Sequence, residues 1–278
     1  MNLKDIFLRF KFKISLTLLV VICEGILFIL FPLFIGNAIE SGINKTYDGI
    51  IQLAILCTIV LVIGSVRRMY DTRVYAGIYQ HLAEHLAVNR KINDTSGSVA
   101  HVNLLEEVVD FFEESLPELI GNIIGLVGTL ILVFSLNKIV FVLCIFAAVL
   151  IFIIYALSAN KTLFLNKSYN NEYEQQVNVH SQQNIKEKAK HYKKLMMWKI
   201  RLSDLETINF AGVWIILSIV LCLSVHFVVD AKGIVFGVLF STIMYVYQFI
   251  ENAVNLPFYY QQSLRLKDIS NRINDSLK

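Results

Sequence analysis

KIVFVLCIFAAVLIFIIYALS, residues 138–158, is 21 residues long and carries a single charge, Lys138, at its first position. A helix rises about 1.5 Å per residue, so a run of this length matches the roughly 30 Å hydrocarbon thickness of a bilayer. Five more apolar runs of about this length lie on either side of it, at about 14–38, 50–66, 119–136, 208–229 and 233–252. The whole chain agrees with them: of 278 residues 56% are hydrophobic and 17% charged, with a mean hydropathy of +0.60. That is too much apolar surface for a soluble domain. The expected fold is an all-α membrane protein, one transmembrane domain over 1–278 with six spans.

The gaps between spans alternate in length. ESGINKTYDG (40–49), SLNK (135–138) and VDAKG (229–233) are stubs, whereas segments 67–118 and 159–207 each run to about 50 residues. The stubs hold one basic residue each, Lys45, Lys138 and Lys232; the N-terminus, the two long segments and the tail 253–278 hold the other 22 of 25. Because positive charge is retained on the cytoplasmic side, both termini and both long segments are expected there, with the spans in the cell (inner) membrane. The small net charge of +3 follows this topology, so nucleic acid is not an expected partner.

MNLKDIFLRFKFK, residues 1–13, alternates basic and apolar residues, which fits either an interfacial helix or a plain positive flank. The first span is too long for a signal-peptide core and has no small-residue cleavage site. In the long segments helix formers run unbroken from Val66 to Lys91, Asp94–Ser98 marks a turn, and LLEEVVDFFEESL returns toward Pro117. Asn160 to Glu206 has the same character, so both segments are expected to be cytoplasmic helical hairpins. Cys23, Cys57, Cys144 and Cys222 fall in four different apolar runs with neither paired nor zinc-site spacing.

Two stretches carry a resemblance. FPLFIGNAIESGI, residues 31–43, sets a Pro-Leu pair ahead of a glycine and then an acid; VYQFIENAVNLPFYYQQSLRLKDISNRI, residues 246–273, has Pro257 at the membrane exit and closes on Arg272-Ile273. With the topology above, the chain resembles the membrane domain of ABC exporters (type I exporter, type IV fold) over nearly its whole length. The resemblance implies a homodimer whose fourth and fifth spans cross to the partner, and a sixth span lining a central cavity. In that family an ATPase domain follows soon after the Arg-Ile, whereas this chain stops at Lys278. It contains no G-x-x-x-x-G-K-[ST] loop, and none of its 13 glycines is followed by lysine. The second long segment is also short for the family's legs, as in bacterial peptide-uptake proteins that keep an exporter-like membrane domain and run on the proton gradient.

The expected function is therefore transport, not enzyme catalysis: an amphipathic or peptide-like solute moved by alternating access, without an ATPase of its own and driven by protons. No cofactor or metal is expected. One alternative is a separately encoded nucleotide-binding subunit, docking on turns near Asp94–Ser98 and Asn178–Ile185, or a chain cut before its own ATPase. The other is a non-transporting membrane receptor or immunity protein on the same scaffold.

Candidate sites follow from polar groups inside spans, which are costly unless they face protein or water. Ser241, Tyr245, Gln248, Asn252 and Asn255 recur at spacings of four, three, four and three, on one face of the sixth span. If that span lines a cavity, this face is the cargo surface; otherwise it is a polar seam between helices. Glu24, in the first span, must be protonated or paired, and is expected to handle protons or to fix packing. Glu251 could pair with Arg67 or Arg68 as an inner gate, or as a static surface bridge. His226 is a lone titratable group. HLAEH, His81 to His85, matches a zinc-protease pattern without the soluble domain such an enzyme needs, and a metal site with His101 is the lesser reading. Gly121, Gly125, Gly128 and Thr129 form a small-residue face for close helix approach. KEKAKHYKK, residues 186–194, reads as a solvated leg.

Overall fold

The computed structural model describes residues 3–89, 106, 109–175, 185–230 and 235–255. The turn expected at Asp94–Ser98, all of Asn178–Ile185 except its last residue, and Pro257 with Arg272-Ile273 lie outside these. Among the described residues everything beyond short turns is helical and there is no strand.

Helix α1 spans Leu3–Ile43 and α2 spans Asp48–Asn89. A π-helical turn, Phe111–Ser115, leads into α3, Leu116–Leu136. Helix α4 is Lys138–Glu174 and α5 is Ile185–Val229; α6 comprises 236–255. Among the described residues five helical stretches are long and apolar enough to cross a membrane. Four helices also outrun the bilayer: α1, α2, α4 and α5 have 41, 42, 37 and 45 residues, where about 20 suffice. Helix α1 is continuous from Leu3, with no break between residues 3–13 and the rest of the helix. Large apolar side chains such as Leu61, Ile131, Phe152 and Leu157 point outward, as they do where lipid is the solvent.

Local chemistry sets the joints. Between α1 and α2, Lys45 adopts φ 55° and closes a bond of 3.1 Å to the Gly42 carbonyl. Ser41 Oγ accepts the Gly49 N–H at 3.1 Å, satisfying one of the free amides at the start of α2. At the head of α3, Pro117 has no N–H for the carbonyl four residues back. The chain answers with a wide turn in which the Leu116 N–H reaches the Phe111 carbonyl, five residues back.

The chain divides into two compact units. The first, residues 1–138 and 228–278, holds α1, α2, the π turn, α3 and α6. Glycines set its close contacts. Gly25 and Gly128 sit where α1 and α3 meet, against Ile124 and Ile29. Gly125 receives Asn252 of α6, while Gly121 has nothing within 4 Å of where a side chain would be. Gly36 of α1 and Gly237 of α6 cross backbone to backbone, each facing the other's carbonyl with no room for a Cβ. Beside the crossing the Gly237 N–H donates to Glu40 at 3.2 Å, placing an acid at the N-terminus of α6.

The second unit, Ile139–Phe227, is an antiparallel hairpin of α4 and α5. Val140, Cys144, Ala147 and Ile151 are buried at one spacing on α4, and Val213, Leu217, Val220 and Ser224 at the same spacing on α5. Asn209 donates to Ser158 Oγ at 2.9 Å, and Phe164 and Trp198 meet edge to face at 6.2 Å. In the charged leg Glu172 is buried, taking His191 at 3.0 Å and Lys194 at 2.6 Å. The leg KEKAKHYKK is thus only partly solvated.

Candidate functional site

The polar row of α6 meets α1 at Pro32. Proline has no N–H, so the Phe28 carbonyl one turn earlier has no backbone donor, and the ring crowds it. In hydrocarbon a bare carbonyl is expensive. Side chains of α6 supply donors along this stretch: Tyr245 donates to the Ile29 carbonyl at 2.9 Å, Ser241 to the Pro32 carbonyl at 2.8 Å, and Gln248 Nε2 lies 3.5 Å from the Phe28 carbonyl. Ser241 and Tyr245 are fully enclosed, Gln248 partly. Asn252 sits against Gly125 and Asn255 is half-buried. Over Ser241 and Tyr245 the face singled out as a cargo surface is an interhelical seam in this structure: the two hydroxyls donate to the α1 carbonyls of Pro32 and Ile29, while the one carbonyl that Pro32 deprives of its helical donor, that of Phe28, faces Gln248.

The expected gate also changes partners. Arg67 Nε stands 2.5 Å from a Glu24 carboxylate oxygen, and its Nη1 bonds Asp71 Oδ2 at 3.3 Å. Arg67 thus serves Glu24 and Asp71, and not Glu251, which is exposed on α6; Arg68 is exposed on α2. The three paired groups are only 15%, 14% and 5% exposed, for Arg67, Glu24 and Asp71 respectively. Gly64 makes the pairing possible, since a side chain there would press on the Glu24 carboxylate. One guanidinium between two carboxylates leaves one negative charge over, and in a low-dielectric setting such an excess is costly unless a proton or another cation meets it.

A cavity of about 580 Å³ adjoins this network. Its apolar wall is Val21, Gly25 and Phe28 of α1 with Pro117 and Gly121 of α3. Its polar wall includes Glu24, Arg67, Arg68, Asp71 and Thr72, together with Glu113, Glu114 and Glu118. Thr72 Oγ1 donates to Glu113 Oε1 at 3.0 Å, tying α2 to the π turn. That turn is what brings Glu113 and Glu114 to the cavity. Gly121, idle as a packing residue, leaves the wall open.

Asp71, Glu113 and Glu114 escaped the reading by spacing, because each looks like part of a charged leg. Two signals were present. Asp71 follows Arg67 by one helical turn and shares its face with buried Val74, Tyr75 and Ile78. Pro117 foretells a disturbed turn before it. Elsewhere, His81 packs edge-on to Phe10, the side chain of His85 and all of His101 lie outside the described residues, and His226 is exposed on α5. Among the described residues no cluster of three or more His, Cys, Asp or Glu is placed to hold a metal.

Compared with known proteins, residues 3–237 match a family model described as ABC transporter transmembrane region. No curated protein matches the chain.

Proposed function

Because the chain belongs to the family of ABC transporter transmembrane regions, we propose that it is a homodimeric carrier moving an amphipathic or peptide-like solute across the cell (inner) membrane by alternating access, with Glu24 and Asp71 handling the coupling proton. The single observation behind the energy source is Arg67 shared between two carboxylates at the edge of a cavity. The surplus charge asks for a proton, and the adjoining cavity supplies the path by which it comes and goes. Separation of α4 and α5 into a unit of their own supports the exchange of these helices between partners.

In this reading both termini and both long helical hairpins face the cytoplasm, in keeping with the distribution of lysine and arginine. The half of α1 beyond Pro32 is sealed against α6, while the half that carries Glu24 borders open space. This is an inward-facing carrier. When it turns outward, the α1–α6 seam parts and Ser241, Tyr245, Gln248, Asn252 and Asn255 become the face that cargo meets. Arg68 lines the same cavity.

Family membership also favours a second reading, in which a separate nucleotide-binding subunit drives the same motion. Proteoliposomes holding the full chain alone separate the two. Uptake of a labelled amphipathic peptide under an imposed proton gradient without ATP, lost in Glu24→Gln, supports the proton carrier. No uptake under a gradient, but uptake on adding ATP and a nucleotide-binding subunit, refutes it in favour of the second.

A further inference from the structure

Away from the cavity, the α4–α5 hairpin carries a charged patch that transport leaves unused. Residues 160–170 of α4 and 195–203 of α5 hold Lys161, Lys167, Lys199 and Arg201 and no acid. All four are exposed. Among the described residues none of them has a carboxylate partner, whereas Lys194 of the same hairpin is taken by Glu172. Between them sits an aromatic pair, Phe164 edge to face with Trp198, and the Arg201 guanidinium lies over the Trp198 ring, 5.2 Å from its centroid. Stacking occupies the face of a guanidinium and leaves N–H donors along its edge for an oxyanion. In an antiparallel pair that sets Phe164 against Trp198, Lys161, three residues before Phe164, comes level with Arg201, three residues after Trp198. The nearest acids along α5, Asp204 and Glu206, lie about 90° or more around the helix from the middle of the Trp198–Arg201 stripe.

Depth identifies what meets this patch. The apolar run of α4 ends at Ser158, which holds Asn209 of α5 at 2.9 Å. At about 1.5 Å per residue, Lys161 stands roughly 4.5 Å beyond that level and Phe164 roughly 9 Å. The polar layer of a leaflet begins where its hydrocarbon ends, so the cations and the rings stand in or beside that layer, where aromatic side chains are at home. On the other side of Lys161 and Arg201 the surface turns apolar, with Leu157, Ile208 and Phe210 exposed. An acidic headgroup joined to acyl chains complements both parts, whereas a free phosphate ester uses only the first. A second copy of the same surface would bring cation against cation. We infer that this patch binds an anionic phospholipid, its phosphate held by Arg201 and Lys161 and its chains laid along Leu157 and Phe210. The inference rests on the hairpin leaving the bilayer as in the carrier reading above, and not on the energy source.

Trp198 and Trp214 are the two tryptophans of the chain, so Trp214→Phe leaves one fluorophore, inside the patch. The full chain with that substitution goes into lipid nanodiscs in which a fixed fraction of either phosphatidylglycerol or phosphatidylcholine carries bromines near the top of its acyl chains. Quenching of Trp198 then gives the relative occupancy of the site. One basic residue near the surface gives about a fivefold preference for an acidic lipid, so phosphatidylglycerol should be favoured about fivefold or more. Lys161→Gln and Arg201→Gln should each reduce the preference several-fold and together bring it near one. At about 0.15 M salt, charge is screened over about 8 Å. Lys190→Gln, about 12 Å along α5 from Trp198, should therefore leave the preference unaltered. Equal quenching by both lipids overturns the assignment. So does a loss in Lys190→Gln as large as in Arg201→Gln, which marks a diffuse surface potential, and so does relief of quenching by millimolar glycerol phosphate, which marks a site for free phosphate esters. No quenching by either lipid overturns it in favour of a protein surface, such as a second copy, covering the patch. Nanodiscs give the reading without transport and with either insertion, so the carrier stands or falls separately in the proteoliposomes.

Discussion

Replacing Arg67 with methionine tests the network directly. The substitution keeps an unbranched apolar stem but strands Glu24 and Asp71, whose side chains are 14% and 5% exposed, with no cation between them. Breaking a buried ion pair from one side costs about 3–5 kcal/mol, because the remaining charge stays desolvated without compensation. Removing every charge of such a group is often close to neutral. The triple variant Glu24→Gln, Arg67→Met, Asp71→Asn should therefore recover most of what Arg67→Met loses, and Glu24→Gln with Arg67→Met should fall between. Thermal unfolding in lipid nanodiscs is the assay, and at about 2–4 °C per kcal/mol the single variant should melt on the order of 10 °C lower. Acidifying the sample should return part of that loss, since burial already raises the Asp71 carboxyl above its usual range and it can then become neutral. If Arg67→Met melts with the wild type, or the triple variant is as unstable as the single, Arg67 does not hold the two carboxylates and the argument from surplus charge fails.

Tyr245→Phe should cost about 0.6–1.7 kcal/mol in lipid, the span measured for interhelical hydrogen bonds. Faster hydrogen exchange at the α1 amides around Pro32 would locate the effect, and unaltered exchange there would refute the latch. Gly36→Val should prevent folding outright, read as loss of the monodisperse protein on gel filtration, because its Cβ meets the Gly237 carbonyl. Gly77→Ala, with open space around it, should raise stability by about 0.5–1 kcal/mol in the same melting assay. Glu172→Gln should weaken the α4–α5 hairpin by about 1.5–3 kcal/mol through its lost charge-assisted bonds to His191 and Lys194. Proteolysis confined to the leg, with α1 and α2 unaffected, is the expected signature.

Five of the apolar runs were legible as helices able to cross a membrane, because span length and composition are properties of the solvent the helix sits in, and need no knowledge of neighbours. The facing of a polar row is different. Spacing put Ser241, Tyr245 and Gln248 on one side of α6, yet a cavity wall and a seam of donors over the carbonyls of another helix produce the same spacing. Only the packing of α1 against α6 separates them. Glu24 announced itself as an acid in an apolar run, whereas its partner could not be named, since Arg67 and Arg68 are adjacent in sequence and only tertiary packing decides which of them turns inward. Of the small-residue face, Gly125 and Gly128 take neighbours and Gly121 does not, a distinction that depends on where α1 and α6 cross α3.

A π-helical turn holds one residue more than an α-helical turn in its hydrogen-bonded ring. At Phe111–Ser115 the chain therefore slips out of phase by about 100°, and the apolar faces on either side of it cannot be joined into one stripe. Deleting a single residue there would let the helix close up normally and rotate everything before it relative to α3, swinging Glu113 away from Thr72. In relatives, a one-position gap at this point would mark chains that have given up the acidic wall, while an intact length would mark those that keep it.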